Sequence, residues 1–102
     1  MNKLTHTPID TMPYQPKRTV VEHPYVIRDP DILGGSPHIQ GTRVPVRRLW
    51  TWHKGGATVE TLMKRYPNLG PARVLAALAF AFDNQELIEA DLALEASLAV
   101  VR

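Results

Sequence analysis

Seven basic residues lie between positions 43 and 73 of this 102-residue chain, with one acidic residue, Glu60, among them. The basic residues are Arg43, Arg47, Arg48, Lys54, Lys64, Arg65 and Arg73. Arginine and lysine side chains donate charge-assisted hydrogen bonds to phosphate oxygens, and a dense positive surface attracts polyanions. The segment therefore predicts contact with the phosphates of duplex DNA. The alternative is that these side chains only solvate helix faces.

Residues that could support catalysis or metal binding are few and scattered. His23, His38 and His53 lack the i, i+4 spacing of helical metal ligands, and the chain has no cysteine to complete a zinc site. Asp29 and Asp31 are separated by one proline, which indicates a turn rather than a catalytic pair. No nucleophile, base and orienting group can be assembled from the sequence. We therefore expect no metal, no other cofactor and no enzymatic activity.

The charge of the chain changes sign along its length. Residues 1–75 carry eleven Lys and Arg against five Asp and Glu, whereas residues 76–102 carry one against five. We expect these two parts to face different partners, the basic part DNA and the acidic part a protein.

Length and composition indicate one folded domain. The hydrophobic content is 44% and the charged content is 22%, as in ordinary globular proteins. The longest apolar run, residues 74–82, is far shorter than the roughly 20 residues of a membrane span. The first residues lack the apolar segment of a secretory signal, and no cysteine points to an oxidising compartment. We expect a cytoplasmic protein that does not enter a membrane.

The sequence predicts a mainly α fold. Residues 1–24 contain four prolines and predict an extended arm, and residues 25–102 predict a single helical domain. β-favouring runs predict short strands over about 25–29 and 38–44. Apolar spacing and capping residues predict helices over about 46–54, 58–66, 71–82 and 85–98. The short link between the second and third helices predicts a helix-turn-helix within a homeodomain-like three-helix bundle, with a small N-terminal β-element and a C-terminal fourth helix.

Turn-forming residues precede the first helix. They are Gly34, Gly35, Pro37, Gly41 and Thr42. We expect positive φ or close packing at the first two glycines, a bulge or close approach at the third, and a threonine hydroxyl near the start of the first helix. Arg43 has two interpretations: it binds phosphate, or it pairs with Asp29 or Asp31 and holds the β-element on the bundle. Its position between strand and helix favours the pairing.

The third and fourth helices carry apolar side chains in excess of what a small core needs. Residues 74–82 are apolar all round, and a helix of this kind must be covered on every side. We therefore expect a homodimer in which Phe80 or Phe82 contacts the second copy. Leu87 and Leu94 lie on one face of the acidic fourth helix, and we expect this face to dock on a partner protein.

Two further side-chain roles follow from position on the predicted helices. Arg73 is the one polar residue available to read a base from the third helix, because residues 74–82 offer no polar side chain. Trp50 continues the apolar stripe of the first helix and belongs to the core. Trp52 lies on another face, at an edge or interface.

The run from Gly34 to Val46, followed by Tyr66–Leu69 and by Val74, Ala77 and Leu78, closely resembles the prokaryotic family catalogued as domain of unknown function 433. The resemblance implies a homeodomain-like helical domain, often encoded beside a PIN-domain ribonuclease toxin and regarded as its antitoxin. The chain carries Gly70 and Pro71 where the family usually has Ser or Thr as a helix cap.

The residues and the resemblance together predict an antitoxin-like DNA-binding protein of a type II toxin–antitoxin pair, with a PIN-domain ribonuclease as partner. The alternative is a homodimeric protein-interaction module that does not bind DNA. A small enzyme is the third hypothesis.

Overall fold

The computed structural model describes residues 20–101, so most of the predicted proline-bearing arm lies outside the described residues. Its elements are β1 (Val26–Ile27), a 3-10 turn (Leu33–Gly35), β2 (His38–Ile39), α1 (Val46–Lys54), α2 (Val59–Arg65), α3 (Gly70–Asp83) and α4 (Gln85–Val101). The predicted fold class, mainly helical with a small two-stranded antiparallel sheet, is confirmed. No helix within residues 20–101 has the length and apolar character needed to cross a membrane.

The two strands are shorter than predicted. β1 and β2 pair over two residues each, and the predicted strand over 38–44 turns back on itself as a tight hairpin. Ile39 N–H donates to the Val44 carbonyl over 3.0 Å, and Gly41 adopts φ +80° at the tip. The Thr42 hydroxyl donates to the Ile39 carbonyl at 2.7 Å and accepts from Val44 N–H at 3.0 Å. The Thr42 hydroxyl, which the sequence places near the start of the first helix, therefore closes the hairpin that precedes α1.

The glycines before β2 have the backbone conformation that the sequence predicts. Gly34 and Gly35 adopt φ +64° and +91°, a region that side chains with a Cβ disfavour. A Cβ built on Gly41 would meet no atom within 4 Å. Conformation, and not close approach, therefore explains the glycine at the hairpin tip.

The helix-turn-helix begins with a side-chain cap. The Thr58 hydroxyl accepts from Thr61 N–H over 3.1 Å, as the sequence predicts for the start of α2. Gly70 adopts φ +79° where the turn enters α3, and Pro71 follows in the first helical turn. Serine or threonine disfavours this left-handed conformation, so Gly70 fits the turn that this chain forms.

α3 lies at the centre of the core. Its residues Val74, Leu78 and Phe80 are buried against the other helices and the sheet. Phe80, predicted as a dimer or partner contact, is 1% exposed and is available to no other molecule. That prediction is wrong because one side of this uniformly apolar helix faces the interior of the same chain. Phe82, two residues on, is 50% exposed.

Residues 20–23, which the sequence assigns to the arm, are bonded to the α3–α4 junction. The buried amide of Asn84 accepts from Val21 N–H at 2.8 Å and donates to the Val21 carbonyl at 2.9 Å. His23 Nε2 lies 2.7 Å from a carboxylate oxygen of Asp83, and its ring meets the Phe80 ring edge to face. The end of the arm nearest the domain is thereby held against the core.

Phe80→Ala should lower the free energy of unfolding by about 3–5 kcal/mol, because it removes a buried ring and leaves a cavity. Phe82→Ala is the matched control and should cost much less, because half of that ring already contacts solvent. Urea denaturation followed by circular dichroism at low protein concentration measures both losses. Equal losses for the two variants would contradict this assignment of the core.

Candidate nucleic-acid interface

Three of the seven predicted DNA-binding residues are neutralised within the chain. Arg47, Arg48 and Lys54 lie on α1 and face carboxylates of α4. Because each of the three already binds a carboxylate, a phosphate would have to compete with that contact, and the other four basic residues are the better candidates for phosphate binding. Part of the charge of the basic and acidic segments is therefore paired within the chain, because α1 and α4 face each other.

Arg47 makes the most enclosed of these contacts. Its side chain is 13% exposed, and Nη1 donates to Asp91 Oδ2 at 3.0 Å and to Ser36 Oγ at 2.8 Å. Ser36 Oγ in turn donates to Asp91 Oδ1 at 2.7 Å. Arg47 Nε lies 3.2 Å from Glu95 Oε1 but forms no hydrogen bond with it, so this contact is an ion pair only. Arg47 therefore joins the glycine-rich turn, α1 and α4.

The outer contacts between α1 and α4 are more exposed. Arg48 Nη2 donates to Glu95 Oε2 at 2.8 Å. Lys54 Nζ and Trp50 Nε1 both donate to Glu89 Oε2, at 2.7 and 3.0 Å. The Lys54 bond, followed by the Trp50 bond, holds the pKa of Glu89 below its usual value. A lowered carboxyl pKa means that the contact favours folding at neutral pH and weakens as the pH falls through that pKa.

The other four predicted DNA-binding residues keep their charge available. Arg43 is exposed on the hairpin, Lys64 and Arg65 end α2, and Arg73 lies in the first turn of α3. Within residues 20–101, no carboxylate lies within ion-pair distance of any of them. These four residues define the carboxylate-free basic set.

The favoured pairing of Arg43 with an aspartate does not form. Asp29 Oδ1 instead accepts from the backbone N–H of Asp31 at 2.9 Å, which closes a local turn. This hydrogen bond fits the sequence interpretation of the two aspartates as turn residues. Arg43 has no ion-pair partner among the described residues, and its binding to phosphate stays a prediction.

Two members of the basic set lie over aromatic rings. The Arg65 guanidinium carbon is 5.0 Å from the centre of the Trp52 ring, and that of Arg73 is 4.7 Å from the centre of the Tyr25 ring. Trp52 thus occupies the edge position that the sequence predicts. The role of Tyr25 is not predictable from the sequence, because its partner Arg73 lies 48 residues away and no local pattern connects them.

The exposed face of α3 is apolar beyond its first turn. Leu75 and Phe82 are 51% and 50% exposed. The Phe82 ring contacts the rings of Trp50 and His53 edge to face, with centroids 5.1 Å apart in both cases. Side chains of this kind do not hydrogen-bond base edges in a major groove. The exposed face of α3 therefore suits contact with protein better than sequence reading.

A groove of about 820 Å³ lies between α4 and the glycine-rich turn. Its apolar wall includes Leu87, Leu94 and Leu98, and Arg47 and Asp91 also line it. Leu94 and Leu98 are 58% and 59% exposed. The two residues predicted to contact a partner on α4, Leu87 and Leu94, therefore line one groove.

The histidines have structural surroundings. His38 is buried, with Nδ1 3.1 Å from the Ser36 carbonyl oxygen, and His53 stacks on Trp50. In the part of the chain from residue 20 to residue 101, no three potential metal ligands cluster together.

Comparisons with known proteins agree on the family. Residues 26–81 match the family model described as "Protein of unknown function (DUF433)". The uncharacterized protein y4eO of Sinorhizobium fredii is 37% identical over 59 residues, which make up 58% of this chain and 27% of that protein. This chain thus spans about a quarter of that relative's length.

A crystal structure of a DUF433 member protein from Anabaena variabilis has the same fold. It superposes with a TM-score of 0.63 at 30% sequence identity, over 68% of each chain. The family model covers more than half of the present chain and includes the glycine-rich turn, the hairpin and helices α1 to α2 with most of α3. On these grounds, the chain belongs to the DUF433 family.

Proposed function

We propose that this chain is the antitoxin-like, DNA-binding member of a type II toxin–antitoxin pair, a cytoplasmic protein without catalytic activity whose partner is a PIN-domain ribonuclease. The observation that carries the DNA-binding part is the position of the carboxylate-free basic set. Three of its members, Lys64, Arg65 and Arg73, flank the turn of a helix-turn-helix. Helix-turn-helix proteins place this region against the DNA backbone and major groove.

The fourth member of the basic set is connected to the same turn. Gln40 N–H donates to the Tyr25 carbonyl at 2.7 Å, so the hairpin that carries Arg43 lies against Tyr25. The Tyr25 ring in turn lies under the Arg73 guanidinium. This chain of contacts brings the hairpin to the first turn of α3, where the positive end of the helix dipole also favours phosphate.

The chemistry of the surface favours phosphate contacts over base reading. Arg73 is the one polar side chain in residues 73–82, and the exposed face that follows carries Leu75 and Phe82. Phosphate contacts fix the position of a protein on DNA and contribute little sequence information. The proposed binding is therefore strong in its salt dependence and modest in its sequence preference.

The toxin-binding part of the proposal uses the α4 groove. It is supported by the family resemblance and by the exposed Leu94 and Leu98 at the groove wall. The acidic residues Glu89, Asp91 and Glu95 are held by α1, so charge attraction is not the basis of docking. An amphipathic helix of the partner, with its apolar face toward α4, fits this surface.

A second candidate function is a homodimeric protein-interaction module that does not bind DNA. The observation that favours it is the exposed apolar face of α3. Leu75 and Phe82 lie on this face, seven residues apart. Burial of this face against a second copy would remove it from water. Dimerisation by itself is compatible with DNA binding, because DNA binding would use the start of α3 and dimerisation its later turns.

Binding to a short labelled duplex should fall steeply with salt. Log affinity against log salt should slope at about −3 to −4 for each chain that contacts the duplex, if three or four residues of its basic set meet phosphates. Lys64→Ala should make that slope less negative by about 0.9 for each such chain. Lys54→Ala is the matched control: it removes the same charge from a lysine already bound to Glu89, and it should leave the slope unchanged. Fluorescence anisotropy across a salt series measures all three.

A wild-type protein that does not bind duplex DNA at low salt would overturn the DNA-binding proposal. Equal changes of slope for Lys54→Ala and Lys64→Ala would also count against it, because the intrachain pairing would then not decide which residues bind phosphate.

The α3 face should form the interface of a homodimer, so light scattering at micromolar concentration should give twice the chain mass. Leu75→Glu places a charge in that face and should give the monomer mass. Leu94→Glu is the matched control, a similarly exposed leucine on α4, and it should leave the mass unchanged. A monomeric wild-type protein, or dissociation by the Leu94 variant alone, would contradict this interface.

A further inference from the structure

We infer that Tyr25 and Trp52 are positioning residues for DNA binding, which hold the guanidinium groups of Arg73 and Arg65 ready for phosphate; the inference rests on the proposed DNA binding. Each ring lies under an arginine at 4.7 or 5.0 Å. The two arginines flank the turn between α2 and α3. Tyr25 and Arg73 form the closer of the two pairs.

A ring and a carboxylate hold a guanidinium in different ways. A carboxylate occupies the N–H donors along the edge of the group and cancels its charge, as Asp91 does for Arg47. An aromatic ring contacts the face of the group and leaves the N–H donors at the edge free. Arg73 therefore keeps both its charge and its donor fork while its side chain is confined, and less side-chain entropy is lost when it binds phosphate.

The backbone at Tyr25 is held in a tight turn. Val26 N–H donates to the His23 carbonyl at 3.3 Å, and Tyr25, the third residue of this turn, has φ +71°. Gln40 N–H donates to the Tyr25 carbonyl at 2.7 Å, so the same residue is also bonded to the hairpin. The ring of a residue held in this way lies under Arg73 of α3.

The exposure of the ring excludes a simple core role. Tyr25 is 38% exposed, whereas the next residue, Val26, is 5% exposed and supplies the core contact of β1. One face of the Tyr25 ring therefore carries Arg73 while part of the ring remains in solvent. The Arg73 guanidinium thus lies on the ring beside the first turn of α3, where the proposed function places a phosphate.

The test measures affinity and salt slope together on the short labelled duplex, with the full chain. Tyr25→Leu removes the aromatic face and should weaken binding by about two- to fivefold. Its salt slope should stay at the wild-type value, because the cation is still present. Tyr25→Phe keeps the ring and should bind as the wild type does. Arg73→Ala removes the cation and should make the slope less negative by about 0.9.

Arg73→Lys gives a second measurement that does not depend on the stability of the Tyr25→Leu variant. Lysine keeps the charge and loses the planar fork that lies over the ring. It should therefore weaken binding with an unchanged salt slope. Thermal melting of each variant checks that the folded chain is the species measured.

Wild-type affinity for Tyr25→Leu or for Arg73→Lys would overturn the inference. Equal weakening by Tyr25→Phe and Tyr25→Leu would do the same, because the ring would then not be the active element. If the wild type binds with a steep salt slope that Arg73→Ala leaves unchanged, the inference fails and the proposed DNA binding stands. If the wild type does not bind duplex DNA, both fail.

Discussion

The enclosed guanidinium of Arg47 sets the arrangement of the helices around it. A charged group with 13% of its side chain exposed is tolerated only when its donors meet charged or polar partners. Ser36 and Asp91 supply hydrogen bonds, and Glu95 supplies a second negative charge. These partners come from the glycine-rich turn and from α4, so a single side chain fixes both elements against α1. The helix that supplies Asp91 and Glu95, α4, lies beyond residues 26–81, the part of the chain that matches the family model.

This pairing also decides which charges face outward. The ion pairs between α1 and α4 enclose Arg47 and engage the more exposed Arg48 and Lys54 with carboxylates, which a polyanion would have to displace. The remaining basic residues lie on the hairpin and beside the α2–α3 turn, two of them over aromatic rings. The same pairing leaves α4 with an apolar outer face, at Leu94 and Leu98. Contacts inside the chain thus separate the carboxylate-free basic set from the apolar groove beside α4.

Local signals in the sequence were enough to predict the helices and most of the turns. Apolar periodicity, the Thr58 cap and the glycines at 34 and 35 each act over a few residues, and the structure contains all of them. The second strand was overestimated because its β-favouring residues surround a hairpin tip at Gly41. In a hairpin the segment pairs with itself, whereas in a longer strand it would pair with β1. The residue types of the segment do not specify which pairing forms.

The errors in the site came from contacts that are distant in sequence. Arg47 and Asp91 are 44 residues apart, and no spacing rule connects them, although the opposite charges of α1 and α4 were a usable signal. Phe80 and Phe82 lie on different sides of one helix, and a helix that is apolar all round does not reveal which side is the core. The positive φ of Tyr25 was outside the reach of pattern analysis, because glycine is the residue that predicts it.

The central claim is that the arginines of α1 are occupied within the chain and those beside the α2–α3 turn are free to bind phosphate. NMR of the arginine Nε–Hε groups, titrated with a short DNA duplex, tests it most directly. The signals of Arg65 and Arg73 should shift with added duplex while that of Arg47 stays in place. A shift of the Arg47 signal, with Arg65 and Arg73 unchanged, would contradict the claim.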